Sequence, residues 1–160
     1  QLDEMVVLAK AYPETTFILG HMGTPIGLGG VFASYGGSDI ARRRVLGLWQ
    51  EGMARVAECP NVLVKLSGFF MPVVGWGYHL RDKPPCLLEI IDDLRPMVEF
   101  VVGQFGVDRC MFASNFPMDK VSMSLEMLYD VYWSLCEGLS DEDRVKLFRD
   151  NARGCYKIVS

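Results

Sequence analysis

The chain has 160 residues, of which 50% are apolar, 22% charged and 11% aromatic, and it carries a formal net charge of −4. A chain of this length buries roughly 70% of the surface that it exposes when unfolded, so a disordered chain is excluded, and no run reaches the ~18 apolar residues needed to cross a bilayer. Sixteen basic residues against 20 acidic ones leave no basic stripe for a phosphate backbone, so neither nucleic acid nor a membrane is an expected partner.

Leu2, Met5, Val6, Ala9 and Tyr12 recur at helical spacing and stop at Pro13, which predicts an amphipathic first helix with no visible cap. TTFILGH, residues 15–21, is rich in β-branched and aromatic side chains and runs into HMGTPIGLGG, a strand followed by a long loop. Ser38 and Asp39 are placed to cap a helix over about 40–58, with Val45, Trp49, Met53 and Val56 on its apolar face and Pro60 ending it. NVLVKLS, residues 61–67, predicts a second strand. The loop after it, GFFMPVVGWGYHLRDKPP, is too long to be a mere connection.

A long helical region over 87–105 is expected to break at Pro96 and to end at Gly106. RCMFAS, residues 109–114, is the third strand, followed by the loop NFPMDK, a helix over about 123–137 closed by Gly138, and a last helix capped by Ser140 with Asp143 three residues on. Short, uniformly apolar strands alternating with helices predict an α/β fold with a parallel sheet. The strands start almost fifty residues apart, against about 30 per unit in a compact (β/α)₈ barrel, and the surplus lies in the loops that build active sites in such folds. Cys59, Cys86, Cys110, Cys136 and Cys155 form no C-x-x-C pair and read as reduced core residues. No apolar leader opens the sequence, so a cytoplasmic setting is the expectation.

The polar residues of interest gather at the strand ends: His21, Lys65 with Ser67, and Asn115 with Asp119. Alternation puts Val62, Val64 and Leu66 on one face of the second strand and Lys65 and Ser67 on the other. An ammonium there must be paired or hydrated, and so it either anchors a substrate or meets strand-end carbonyls. His21 sits at a loop mouth, where it either ligates a metal or exchanges a proton, or else bonds only to the loop backbone. His79 reads as a surface histidine or a ligand, and Asp119 as a solvated loop charge or a catalytic one. The loop from Phe69 to Tyr78 is apolar enough to be a pocket wall, a lid or an interface, which makes Met71 and Trp76 candidate substrate contacts. GLGG at 27–30 lacks dinucleotide-binding spacing, and no P-loop or G-x-S-x-G elbow occurs.

FILGHMGTP, NVLVKLSGFFMPVVGWGYH, FGVDRCMFASNFPMDK and SDEDRVKLFRDNARGCYKI together resemble the last part of the amidohydrolase-related (amidohydrolase 2) family, which includes 2-pyrone-4,6-dicarboxylate lactonase, sugar lactonases and decarboxylases. The resemblance spans nearly the whole chain. It implies about three βα units from the C-terminal portion of a TIM barrel of the metal-dependent-hydrolase kind, in a single partial domain over 1–160 that belongs to a longer chain or is completed by a partner chain, with either a homo-oligomer or the missing N-terminal barrel half as the expected protein partner. It also implies hydrolysis of a small lactone or related carbonyl substrate bearing a carboxylate, with metal-dependent decarboxylation or a silent interaction module as alternatives.

Carried over, His21 matches a histidine that binds metal in some members and substrate in others, and Lys65 and Ser67 match the K-L-S-G strand. Asn115 stands where many members have the aspartate of the last strand. An amide cannot accept the proton that a carboxylate takes, and Asp119 is the residue nearby able to substitute. The catalytic candidates are therefore His21, Lys65, Asn115 and Asp119, and the substrate-binding candidates are Ser67, Met71, Trp76 and His79. A divalent metal such as zinc would use His21. The family's first-strand H-x-H is absent, because the chain has only two histidines, too few for a tight zinc site from this chain alone.

Overall fold

The computed structural model describes residues 1–30 and 37–159. Three strands, β1 (Phe17–Leu19), β2 (Val62–Leu66) and β3 (Cys110–Phe112), form one parallel sheet in the order β1-β2-β3. Phe17 pairs with Val62 and Leu19 with Val64, while Val64 pairs with Cys110 and Lys65 with Met111. Each strand lies inside its predicted span.

The register explains the two faces of the sheet. Val62, Val64, Leu66 and Cys110 are fully buried against the helices, whereas Leu63 and Lys65, which alternate with them, are half-buried. On the face that carries Lys65, Met111 and Ser67 are fully buried, so that face is covered at β3 and at the end of β2 and less so around Leu63 and Lys65. The outer edges of β1 and β3 are where further strands of a barrel would join.

Helix α1 (Leu2–Ala11) has no side-chain cap and buries only Ala9 fully. Helix α2 (Asp39–Ala57) begins where Ser38 Oγ accepts the N–H of Ala41 at 3.2 Å, and it buries Trp49, Met53 and Val56. Helix α3 (Leu87–Phe105) corrects one expectation, because it runs unbroken through Pro96. Proline removes one i→i−4 bond, but Pro96 faces solvent, and the opposite side of the helix buries Ile90, Leu94, Met97, Val98 and Val101. At roughly 1.5–3 kcal/mol for each large apolar side chain, that burial outweighs one missing bond. Helix α4 (Leu125–Leu135) follows. The predicted last helix is α5 (Asp141–Val145) and α6 (Asn151–Tyr156) joined by a π-helical turn over Lys146–Asp150, with Ser140 Oγ accepting from the Asp143 N–H at 3.1 Å.

Two side chains tie these helices to the sheet. Arg109 donates to the carbonyls of Phe105, Cys59 and Ala57, each at 2.9 Å, and so satisfies carbonyls at the C-terminal ends of α2 and α3. Asn151 Nδ2 donates to Val107 O and Cys110 O, both at 2.7 Å. The cysteines are free as expected, and Cys59, Cys110 and Cys136 are buried. Cys86 is a correction, since it is exposed at the start of α3 and not part of the core. No helix among the described residues is long and apolar enough to cross a membrane.

Candidate functional site

At the end of β1 the backbone turns sharply, with His21 at φ 52° and Met22 at φ 44°, the left-handed region that non-glycine residues seldom occupy. Packing imposes this turn. Met22 is fully buried, its carbonyl accepts the Trp49 indole N–H at 2.7 Å, and the Thr24 N–H bonds to His21 O at 2.8 Å. The turn delivers the imidazole to the end of β2, where His21 Nδ1 lies 2.9 Å from Ser67 Oγ.

Gly68 completes the arrangement. Its φ is +68°, and a Cβ built there would lie 2.6 Å from His21 Nδ1, so only glycine lets the ring and the strand end meet. Lys65 stands on β2 two residues before Ser67, with Nζ 5.2 Å from the centroid of the Tyr156 ring. Burial, and secondly the charge of Lys65, lower the pKa of His21 below its usual value.

The end of β3 carries a second pair. Asn115, also left-handed at φ 54°, donates through Nδ2 to Asp119 Oδ1 at 2.9 Å. Asp119 is fully buried, and its Oδ2 has no hydrogen-bond partner among the described residues. Burial pushes its carboxyl up to about 6, against the opposing pull of hydrogen bonds from Asn115 and the Phe70 backbone. Asp119 is therefore not the solvated loop charge that the sequence left open.

The loop after β2 connects the two pairs. On one side Gly27 N–H and Gly29 N–H bond to Val73 O and Val74 O at 2.8 and 2.9 Å; on the other, Ser122 Oγ donates to Phe70 O at 2.8 Å. Two 3₁₀ turns, Pro72–Val74 and Tyr78–Leu80, order this loop. Trp76 stacks on Tyr78, whose ring lies under the Arg81 guanidinium and whose hydroxyl donates to Asp93 of α3. The indole N–H of Trp76 is buried without a partner among the described residues.

Of the predicted site residues, the structure joins His21 to Ser67 and Asn115 to Asp119, with Lys65 close enough to act on His21 electrostatically. Met71 and His79 are half-buried in the loop and make no hydrogen bond to these groups. The hydrogen bonds of Trp49, Ser122 and Tyr78 were not legible in the sequence, since nothing in a helix's apolar stripe, a loop serine or a loop tyrosine announces a partner 15 to 52 residues away. Gly68 was visible as the last letter of K-L-S-G, but its function as a cradle for the ring was not.

The donor set near His21 is too small for a metal. Among the described residues no group of three or more His, Cys, Asp and Glu side chains is placed to hold one. His21 has one nitrogen engaged with Ser67, leaving Nε2, and Asp119 has one free oxygen. Zinc requires about four ligands, so the residues of this chain do not by themselves fit it.

The sequence profile of the family described as Amidohydrolase matches residues 1–158. The chain belongs to the amidohydrolase family. This amidohydrolase chain is 31% identical over 158 residues to the uncharacterised protein y4mH of Sinorhizobium fredii, covering 99% of this chain and 44% of that one. It is 25% identical over 163 residues to an L-fucono-1,5-lactonase of Burkholderia multivorans, covering 99% and 48%. An amidohydrolase of Burkholderia multivorans solved with bound zinc superposes with a TM-score of 0.78 at 23% identity, over 99% of this chain and 50% of that one. The amidohydrolase chain thus has the α/β fold of these proteins and spans about half the length of the relatives that it matches.

Proposed function

We propose that this amidohydrolase chain supplies the C-terminal half of the active site of a hydrolase that opens a lactone, or a related carbonyl substrate bearing a carboxylate. The observation that carries the reading is the His21–Ser67 pair beside Lys65 at the C-terminal ends of β1 and β2, the face on which barrel enzymes assemble their chemistry. The remaining strands would come from an N-terminal half, in the same polypeptide or in a partner chain, joined along β1 and β3.

In this reading Lys65 attracts the substrate carboxylate and His21 polarises the carbonyl as water adds to its carbon. The electron pair of C=O moves to oxygen, then returns as the ring C–O bond breaks. The proton that the water gives up as it adds passes to the leaving alkoxide, giving the hydroxy acid. Asn115, held by Asp119 from behind, orients the water, and the loop 69–79, with Met71, Trp76 and His79, covers the substrate. The lactonase relative supports the substrate class.

Acid release from a panel of lactones with and without a carboxylate tests this reading with the full-length protein. Turnover of carboxylate-bearing members is expected, and a panel with no substrate in it overturns the proposal. The zinc in the Burkholderia multivorans neighbour favours a second reading, a metal-dependent enzyme of the same family. Elemental analysis decides it, because stoichiometric zinc in active protein would require ligands from outside this chain.

A further inference from the structure

Ser67 is 1% exposed, and among the described residues its hydroxyl has one hydrogen-bond partner, His21 Nδ1 at 2.9 Å. A hydroxyl has one proton to donate, and a neutral imidazole carries its proton on one nitrogen only. Were that proton on Nδ1, it would point at Ser67 Oγ and leave the buried hydroxyl proton without an acceptor, an arrangement that costs the desolvation of an unpaired donor. With Nδ1 bare, the Ser67 O–H donates to it and both groups are satisfied.

The surroundings hold the ring in this arrangement. Gly68 packs against Nδ1, Cγ and Cβ of His21, leaving too little room there for even a methyl group, and the turn at 21–24 is pinned by the Trp49 and Thr24 hydrogen bonds. We propose that Ser67 is a positioning residue that fixes His21 as the Nε2–H tautomer, so that His21 meets the substrate carbonyl oxygen as a hydrogen-bond donor and not as a base or a metal ligand. The tautomer rests on the local geometry alone; the identity of the acceptor rests on the lactonase reading. Burial and the Lys65 charge act in the same direction, since both disfavour a second proton on the ring. A carbonyl facing Nε2–H gains most when its oxygen becomes negative as water adds, and no proton leaves His21 in that step.

Long-range ¹H–¹⁵N correlation spectra of the full-length protein labelled with ¹⁵N-histidine, recorded at about pH 8 where imidazoles are neutral, report the tautomer directly. A His79→Gln sample, lacking this chain's other histidine, assists assignment. The expected result is a single tautomer for His21, protonated at Nε2, that becomes a mixture in Ser67→Ala and is retained in Ser67→Thr. A proton on Nδ1 in the parent protein overturns the inference, and so does an unchanged His21 signal in Ser67→Ala. The parent spectrum needs no variant to fold. An Nε2–H tautomer in a protein that hydrolyses no lactone would leave the inference standing and remove the lactonase reading; an Nδ1–H tautomer in an active lactonase would do the reverse.

Discussion

Replacing Gly68 by alanine perturbs the contact on which the candidate site depends. The new Cβ would lie 2.6 Å from Nδ1, 2.7 Å from Cγ and 2.9 Å from Cβ of His21, on a backbone with φ +68°. Left-handed backbone costs a non-glycine residue about 1–2 kcal/mol. The ring must also move, and the hydrogen bond to Ser67 that it gives up contributes about 1 kcal/mol. Together these predict a loss of roughly 2–3 kcal/mol, which for a chain of this length lowers Tm by roughly 4–12 °C. Urea denaturation of Gly68→Ala measures the loss, with Gly47→Ala as the control. Gly47 lies inside α2 with nothing within 4 Å of an added Cβ, so that change is expected to stabilise by about 0.5–1 kcal/mol. The reasoning is refuted if Gly68→Ala stays within about 0.5 kcal/mol of the parent while the His21 resonances stay in place.

Two further outcomes follow from buried polar groups. Asp119 titrates at about 6 in the fold against 3.8 for the free side chain, so the folded chain binds that proton more tightly than the unfolded one. Its contribution to stability is fully present below the unfolded value and is lost as pH rises through about 6, a fall of roughly 2–3 kcal/mol between pH 4 and 8. Asp119→Asn keeps an acceptor for Asn115 and removes that slope, as urea midpoints across this range will show. Arg109→Lys keeps the charge but cannot reach the carbonyls of Phe105, Cys59 and Ala57 together, and calorimetry is expected to record a loss of about 2–4 kcal/mol.

The strands were legible because their apolar runs are short and bounded by Gly, Pro and Asn, the first two with β-branched residues as well, and their centres coincide with the observed β1, β2 and β3. Pro96 misled because proline's local penalty is independent of context, whereas the seven buried residues of α3 that hold the helix together are a tertiary fact. The site divides in the same way. His21, Lys65, Ser67, Asn115 and Asp119 were visible as polar residues at strand ends, and the Asn115–Asp119 pair could be suspected from proximity in sequence. The bond between His21 and Ser67 spans 46 residues and depends on the β1–β2 register and on two left-handed residues, neither of which a single sequence displays. Nor does spacing distinguish a solvated Asp119 from a buried one; that difference arises from the loop after β2 closing over it through Ser122 and Phe70.

The central claim is that His21 and Lys65 work on the carbonyl and the carboxylate of one substrate. Steady-state hydrolysis of the best lactone by the full-length protein, compared with its His21→Ala and Lys65→Ala variants, tests it most directly. Removing the His21 donor is expected to lower kcat by about 10²–10³-fold, as loss of one preorganised donor to an oxyanion does, and removing Lys65 to raise KM for carboxylate-bearing substrates above all. Turnover that is unchanged in both variants would contradict the account.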